Sequence, residues 1–492
     1  METSHCELYI DGAWCPASSG RTYTNTNPAA PSQVLSHHPK ATADDVNAAV
    51  EAAAAAFPAW RDTPAPARGR ILAKAAALMF ERVDELARGL SLEEGKNFSE
   101  ARGEVLKGLN ILEYMAGEGW RLHGETLPSE MKRTFTYTLR QPLGPVAIIT
   151  PWNFPFAIPV WKIAPALVAG NTVVFKPATW TPLTATRIVQ IFEQAGLPKG
   201  VLNLVTGSGG EVGDTLVNHS KIRAISFTGS TEVGRHINEM AARRLVKITC
   251  EMGGKNPVIV LDDADVELAV EGVFQGAFGS TGQRCTATSR VILTPGIRAA
   301  FLEKLAAKVR GIKIGPGVDS TTHMGPSVSA HQQKIVLEAI HTAEREGAKV
   351  LARADVDPAL GEGYWVPAVV FTGVEAHSTL AQEEVFGPVL AVQDARDADH
   401  ALELANNTRF GLSSSLYASD IRNIQKYIEQ SEVGMVHVNS PTVGGEAQLP
   451  FGGIKETGVG DREMGHWGVE FFTEIKTVFL DWTGTVRRTN IY

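Results

Sequence analysis

Short apolar runs alternate with helix-like segments through the middle of the chain. The runs are rich in Val, Ile and Phe and lie at 146–149, 172–175, 201–205, 224–227 and 246–249. The segments at 158–169 and 182–195 carry apolar residues at helical spacing. β-branched runs that alternate with helices are typical of a parallel sheet covered on both faces. The pattern therefore predicts an α/β fold with a doubly wound parallel sheet.

A second alternating region follows and predicts a second α/β domain. It begins with a helix at 266–278 and continues through 291–293, 301–309, 389–392 and 436–438. Two further segments, 134–140 and 471–482, alternate apolar and polar residues like exposed strands. Exposed strands invite pairing with another chain, so we expect an oligomer interface here.

The N-terminal part of the chain predicts a short strand and turn at 8–14 and then helices. Thr42 has Asp45 three residues later, which indicates a capping box at a helix start. Apolar residues from Ile71 to Leu90 keep helical spacing, and we predict one continuous helix there.

Composition limits the classes of function. The 492 residues exceed one ordinary domain, and 44% hydrophobic with 20% charged residues indicates a soluble globular protein. A net charge of -8 gives no basic footprint for nucleic acid or an anionic membrane. Four irregularly spaced cysteines predict neither disulfides nor a metal site. With no signal-peptide pattern at the start, we expect a cytoplasmic protein.

Candidate chemistry centres on Cys285 and Glu251. Cys285 follows the Gly- and Ser-rich run Gly279-Ser280-Thr281-Gly282, which presents backbone rather than apolar packing surface. Glu251 ends an apolar strand, and two glycines follow at 253 and 254. Burying a carboxylate at such a position costs free energy, which indicates that the carboxylate has a function. We interpret the pair as a nucleophile and a general base that form and hydrolyse a thioester.

Polar residues recur where the predicted strands end. Asn153, Lys176, Ser230 and Glu251 all lie at or just after a strand end, where parallel sheets bind ligands. Ser230 also stands in Gly229-Ser230-Thr231-Glu232-Val233-Gly234, a loop that opens a helix and suits a pyrophosphate. A second loop carries Gly209 and Gly213, but its spacing is one residue too long for the usual dinucleotide fingerprint.

Eight motifs in order resemble those of the aldehyde dehydrogenase superfamily over essentially the whole chain. They are Pro151-Trp152-Asn153-Phe154-Pro155, Phe175-Lys176-Pro177-Ala178, Phe227-Thr228-Gly229-Ser230, Glu251-Met252-Gly253-Gly254-Lys255, Gly282-Gln283-Arg284-Cys285, Glu384-Val385-Phe386-Gly387-Pro388, Asn439 and Pro450-Phe451-Gly452-Gly453. The resemblance implies a dinucleotide-binding domain at 1–122 and 144–252 and a catalytic domain at 253–452. It also implies a β oligomerisation extension at 123–143 and 470–492.

The resemblance implies catalytic roles for three residues. Cys285 attacks the aldehyde carbonyl, and the side-chain amide of Asn153 joins the Cys285 N–H in holding the resulting oxyanion. Glu251 activates the water that hydrolyses the thioester. An unperturbed thiol is mostly protonated at neutral pH, so Cys285 needs local help.

The resemblance also implies a cofactor, NADP or NAD. The residues it assigns to the dinucleotide, together with the two loop glycines, are Ile149, Trp152, Lys176, Thr179, Gly209, Gly213, Gly229, Ser230, Gly234, Glu384 and Phe386. Relatives that prefer NAD often carry Glu where this chain has Thr179. A neutral Thr near Lys176 removes a repulsion with the 2′-phosphate, so we expect NADP to serve at least as well as NAD.

The substrate passage is predicted to be fairly apolar, lined by Phe154, Ile158, Trp161 and Phe451. The segments 282–290 and 439–446 look most like those of relatives acting on α-ketoglutaric semialdehyde. Arg284 could bind a substrate carboxylate or could form an ordinary salt bridge.

Two other functions are open from the residues. One is a broad-specificity dehydrogenase for aliphatic and aromatic aldehydes. The other is a cysteine hydrolase or acyltransferase without a dinucleotide, which needs a His near the thiol. None of the 13 histidines lies in a motif with Cys285, so the sequence favours the dehydrogenase.

Overall fold

The computed structural model describes residues 3–484, and its largest sheet has eight strands. Across the sheet, in order, these are Gly458–Val459, Lys247–Glu251, Ala224–Thr228, Pro145–Ile149, Thr172–Lys176, Leu202–Leu204, Leu8–Ile10 and Ala13–Cys15. The five central strands are parallel, and the three outer strands run antiparallel to their neighbours. The α/β fold is therefore confirmed, with the predicted strands in place.

Helices cover this sheet. The N-terminal helices are Ala43–Asp62, Ala65–Phe80, Val83–Glu94 and Phe98–Arg121, and those between the strands are Ala157–Ala169, Pro182–Gln194, Asp214–Asn218 and Thr231–Arg244. The capping box is present: Thr42 accepts from the Asp45 N–H, and the Asp45 carboxylate accepts from the Thr42 N–H.

The prediction of one helix through 71–90 is wrong. The chain turns at Glu81 and Arg82, between Ala65–Phe80 and Val83–Glu94. Both helices bury their apolar faces in the same core, so the apolar spacing continues across the break.

The second sheet has seven strands and carries the predicted second α/β region. Across it lie Lys349–Ala354, Ala368–Thr372, Val389–Asp394, Thr288–Leu293, Asn256–Val260, Ser413–Tyr417 and Met435–Val438. Only Lys349–Ala354 is antiparallel to its neighbour within this sheet. Its helices are Val266–Phe278, Pro295–Arg310, Ala330–Arg345, Thr379–Gln382, Ala398–Asn406 and Ile421–Gln430.

Three smaller sheets complete the described residues. Ser4–His5, Ala30–Pro39 and Thr22–Asn27 form the first, and Phe410–Gly411 pairs with Ile454–Lys455 in the second. The third contains Thr126–Leu127, Thr134–Pro142 and Thr473–Asp481, and this last strand follows the short helix Gly465–Phe471. The predicted pairing-competent segments 134–140 and 471–482 thus pair largely with each other. Residues 485–492 of the predicted extension lie outside the described part of the chain. No helix between residues 3 and 484 is both long enough and apolar enough to cross a bilayer.

Candidate active site

Cys285 lies directly after a strained turn. Ser280 and Thr281 have φ values of +49° and +59°, a left-handed backbone that costs energy in residues other than glycine. Gly282 continues the turn at φ +66°, with its Cα against the backbone of Gly387, where a Cβ would clash. The turn brings the thiol to a cavity of about 260 Å³ at the strand ends. The cavity lining includes the predicted residues Trp152, Asn153, Gly229, Ser230, Cys285, Glu384 and Phe386.

Asn256 fixes the nucleophile loop, although the sequence reasoning gave it no role. Its Nδ2 donates to the carbonyl oxygens of Cys285 at 2.8 Å and Ala287 at 2.9 Å. Its Oδ1 accepts from the Ser413 N–H at 3.1 Å. Its place in the motif that follows Glu251 was the available signal.

Asn153 is held beside the same loop. Its Nδ2 donates to the Gln283 carbonyl at 3.1 Å, and its own carbonyl accepts from Lys96 Nζ at 2.7 Å. Lys96 is itself paired with Glu104 at 2.7 Å, so the position of Asn153 is fixed by a buried ion pair. The amide is therefore brought close to Cys285, where an oxyanion donor is needed.

Glu251 ends the strand Lys247–Glu251 and is 3% exposed. Its Oε2 has no hydrogen-bond partner among the described residues. The absence of a side chain at Gly452 leaves room for Oε1, because a Cβ there would clash with it. Burial, and then the neighbouring Glu463, raise the pKa of Glu251 well above its ordinary value, while Lys162 opposes the shift. A carboxylate with one free oxygen and a raised pKa is suited to be a general base.

The Cys285 thiol is protonated at neutral pH in this environment. Burial raises its pKa to about 12, and the carboxylates of Glu384 and Glu251 add to the increase. The positive charge of Lys107 and the Thr286 N–H act in the opposite direction. The small reactive thiolate population therefore depends on nearby positive charge.

Aromatic rings and a strained backbone shape one side of the cavity. Trp152 and Phe386 make an edge-to-face contact with ring centroids 5.3 Å apart. Phe386 has φ +55°, a strained backbone conformation for a residue with a side chain. Glu384 Oε1 accepts from the Gly254 N–H at 3.0 Å, and burial raises the Glu384 pKa to about 7.

The helix Thr231–Arg244 points its N-terminus at the cavity. Ser230 caps it, accepting from the Val233 N–H at 3.4 Å. A Cβ at Gly229 or Gly234 would clash with Phe227 or Met252, respectively. Together with the aromatic wall, this helix start fits the pyrophosphate and ring of a dinucleotide.

Lys176 and Thr179 lie further along the predicted cofactor path. Lys176 is buried beside Ile149 in the strand register, and burial lowers its pKa to about 8. A Cβ at Gly213 would lie 3.8 Å from the Lys176 side chain, so two predicted residues meet here. Gly209 faces open space, and Thr179 lines a separate cavity of about 390 Å³. The predicted cofactor residues therefore do not all line one cavity. Trp152, Gly229, Ser230, Glu384 and Phe386 line the cavity at Cys285, whereas Thr179 lines the other.

The predicted tunnel residues all lie in or against one apolar cluster. The Trp161 and Phe451 rings lie 5.3 Å apart, and Ile158 and Phe154 belong to or pack against the same apolar cluster as Cys285. Arg284 pairs with Glu100 at 3.1 Å and donates to Ser280 Oγ at 3.0 Å. Of the two roles considered for Arg284, the salt bridge is present in the structure.

The sequence analysis gave no role to three charged residues of this region, the half-buried Lys107 and the buried Lys162 and Glu463. Lys107 Nζ lies 5.4 Å from the centre of the Trp161 ring, and Glu463 accepts from Trp161 Nε1 at 2.9 Å and from Lys162. A sequence signal for Lys107 existed: with Glu100 and Glu104, it places three charges on one face of a helix.

A thiol beside a dinucleotide-shaped cavity, at the carboxyl ends of a parallel sheet, defines an oxidoreductase that uses a cysteine nucleophile. Comparison with known proteins identifies the family: residues 14–478 match the model of the "Aldehyde dehydrogenase family", to which this chain belongs. Alpha-ketoglutaric semialdehyde dehydrogenase of Bacillus subtilis is 45% identical over 474 residues, which cover 96% of this chain and 97% of that protein.

Two solved structures support the same assignment. Betaine aldehyde dehydrogenase of Staphylococcus aureus in complex with NAD⁺ is 34% identical, with a TM-score of 0.95 over 98% of this chain and 96% of that one. An NADP-dependent enzyme of E. coli is 37% identical, with a TM-score of 0.94 over 97% and 98%. The resemblance seen in the motifs is thereby confirmed, and the protein is an NAD(P)-dependent aldehyde dehydrogenase.

Proposed function

We propose that this protein oxidises α-ketoglutaric semialdehyde to α-ketoglutarate, and that NADP serves at least as well as NAD. The observation that carries the substrate assignment is the 45% identity with the Bacillus subtilis enzyme named for this aldehyde, over 96% of the chain. The positive charge of Lys107 beside Trp161 suits a substrate that bears a carboxylate.

The reaction follows from three side chains. Cys285 Sγ attacks the aldehyde carbon as its proton leaves to solvent, and Asn153 with the Cys285 N–H stabilises the oxyanion. NAD(P)⁺ supplies the acceptor for the hydride that leaves this carbon. Glu251 then takes a proton from water, which attacks the thioester and breaks the C–S bond. The net change converts aldehyde, NAD(P)⁺ and water into carboxylate, NAD(P)H and two protons.

The cofactor preference is supported by the cavity beside Thr179. Its lining includes Arg21, Lys40 and Ser208, and the carboxylate of Glu211 there is paired with Arg21 at 2.9 Å. A 2′-phosphate would thus find positive charge and hydroxyl groups, and it would meet no carboxylate at position 179.

A screen of aldehydes against both cofactors tests the proposal, with Cys285→Ala as the blank. We expect kcat/KM for α-ketoglutaric semialdehyde to exceed that for neutral aldehydes of the same length, and NADP to match or exceed NAD. Similar values for all aldehydes would instead support the broad-specificity alternative. Acid release without reduced nicotinamide would support a cysteine hydrolase.

We also propose that the segments 123–143 and 470–492 join subunits into a homodimer or homotetramer. The edge strand Thr473–Asp481 of the small sheet presents Ile475, Phe479 and Leu480 with exposed fractions of 60%, 65% and 56%. In the same proposal, the segments 1–122 and 144–252 bind the dinucleotide and 253–452 carries the nucleophile.

We also propose that the protein is cytoplasmic. The free state of all four cysteines fits the reducing cytoplasm.

A further inference from the structure

One cation in the substrate passage, Lys107, has neither a hydrogen-bond nor an ion-pair partner in the described part of the chain. Glu100, Glu104 and Lys107 share one face of the helix Phe98–Arg121. Glu100 is paired with Arg284, and Glu104 with Lys96. Lys107 makes no hydrogen bond or ion pair with any residue from 3 to 484. Of these three charged residues, only Lys107 therefore has no contacting counter-charge among residues 3–484.

The ammonium group of Lys107 lies in the wall of the aldehyde passage. Its Nζ is 5.4 Å from the centre of the Trp161 ring, which contacts Phe451. Across from it, a Cβ at Gly445 would lie only 3.4 Å from Nζ, so the absence of a side chain keeps space in front of the cation. Burial lowers the Lys107 pKa, while Cys285 is close enough to raise it. The cation therefore faces apolar rings near the nucleophile.

A partly buried cation without a contacting counter-charge raises the free energy of the folded protein. Burying an ammonium group among apolar side chains costs free energy that a neighbouring anion offsets. The nearby carboxylate of Glu104 is already committed to Lys96 and to the N–H groups of Phe156 and Ala157. An anion that enters with the substrate would therefore gain the full benefit of Lys107.

We propose that Lys107 binds the distal carboxylate of the substrate and selects anionic over neutral aldehydes. The proposal rests on the proposed function and assigns its specificity to one residue. Arg284 is less suited to this role, because Glu100 and Ser280 already occupy its guanidinium group.

The test is the ratio of kcat/KM for α-ketoglutaric, succinic and glutaric semialdehydes to kcat/KM for butanal and pentanal. In Lys107→Met, this ratio should fall about 10- to 100-fold, the loss typical of a hydrogen bond to a charged group. Lys107→Arg should keep most of the ratio. Arg102→Met is the matched control, because it removes an exposed cation from the same helix.

The ratio separates substrate recognition from other effects. Lys107 also lowers the pKa of Cys285, so its loss should slow every aldehyde, and only a binding role lowers the ratio. An unchanged ratio in Lys107→Met, with the wild-type preference for α-ketoglutaric semialdehyde intact, overturns the inference and leaves the proposed function standing. If instead the wild type rejects α-ketoglutaric semialdehyde but oxidises other anionic aldehydes in a Lys107-dependent way, the inference about Lys107 stands and the proposed substrate is wrong. Lys107→Gln provides a second neutral variant should Lys107→Met fold poorly.

Discussion

Replacing Glu251 with Gln separates the two halves of the reaction. The substitution keeps the shape of a side chain that is 3% exposed, while removing the basic oxygen that has no partner, Oε2. Loss of a general base typically lowers a rate by about 10²- to 10⁴-fold. That range corresponds to about 3–5 kcal/mol in the barrier to thioester hydrolysis. Steady-state turnover should fall by this factor.

The first half of the reaction should survive in the same variant. The charge of Glu251 raises the pKa of Cys285, so a neutral Gln should make the thiol more acidic. Hydride transfer should then proceed once at each subunit before the thioester stalls. Stopped-flow absorbance should record a burst of about one reduced nicotinamide per subunit, followed by a slow steady rate. Mass spectrometry of the quenched protein should detect the acyl group on Cys285.

Asn153→Ala is the comparison that makes the burst informative. It removes an oxyanion donor, so the first turnover should slow by about 10²- to 10³-fold and no burst should appear. If Glu251→Gln also loses its burst while its fold is intact, Glu251 acts before hydride transfer. The assignment of Glu251 to water activation would then be refuted.

Three further predictions follow from the same contacts. Thr179→Glu should lower kcat/KM for NADP by at least about tenfold and leave kcat/KM for NAD nearly unchanged, because a carboxylate would repel the 2′-phosphate. Equal losses with both cofactors would contradict this. The wild-type kcat should fall with decreasing pH along a limb above the usual pKa of a glutamate, about 4.3, because Glu251 acts as a base only when deprotonated; a limb at the ordinary value would count against the raised pKa. Phe479→Glu, on an exposed edge strand, should reduce the oligomeric mass measured by light scattering; an unchanged mass would place the interface elsewhere.

Local pattern was sufficient for much of the fold and for the placement of several candidate site residues. The strand Ala224–Thr228 is fully buried, so its apolar run carried a clear signal. Glu251 and Ser230 stand at strand ends, where topology alone brings them to one edge of the sheet. The break at Glu81 gave no such signal, because neither Gly nor Pro marks it and both helices face one core.

Contacts between distant segments account for what the sequence did not reveal. Asn256 holds the Cys285 loop through the Cys285 and Ala287 carbonyls, and it is itself held by the N–H of Ser413, which lies 157 residues away in sequence. The surroundings of Lys107 depend on the packing of its helix against the helix that carries Trp161. A lysine on an amphipathic helix usually lies in solvent, so its burial depends on which helix faces it. Similarly, the residues near Arg284 in sequence give no indication that it pairs with Glu100.

The acidity of the active site belongs to a group of residues rather than to any one of them. Burial raises the pKa of Glu384 to about 7 and that of Glu251 well above its ordinary value, and both carboxylates raise the pKa of Cys285. Each carboxylate that ionises makes the thiol harder to ionise, so the apparent pKa values in a rate profile describe the coupled set. Alkylation of Cys285 by iodoacetamide should therefore shift to lower pH in both Glu384→Gln and Glu251→Gln. A shift in only one of them would mean that the thiol senses a single carboxylate.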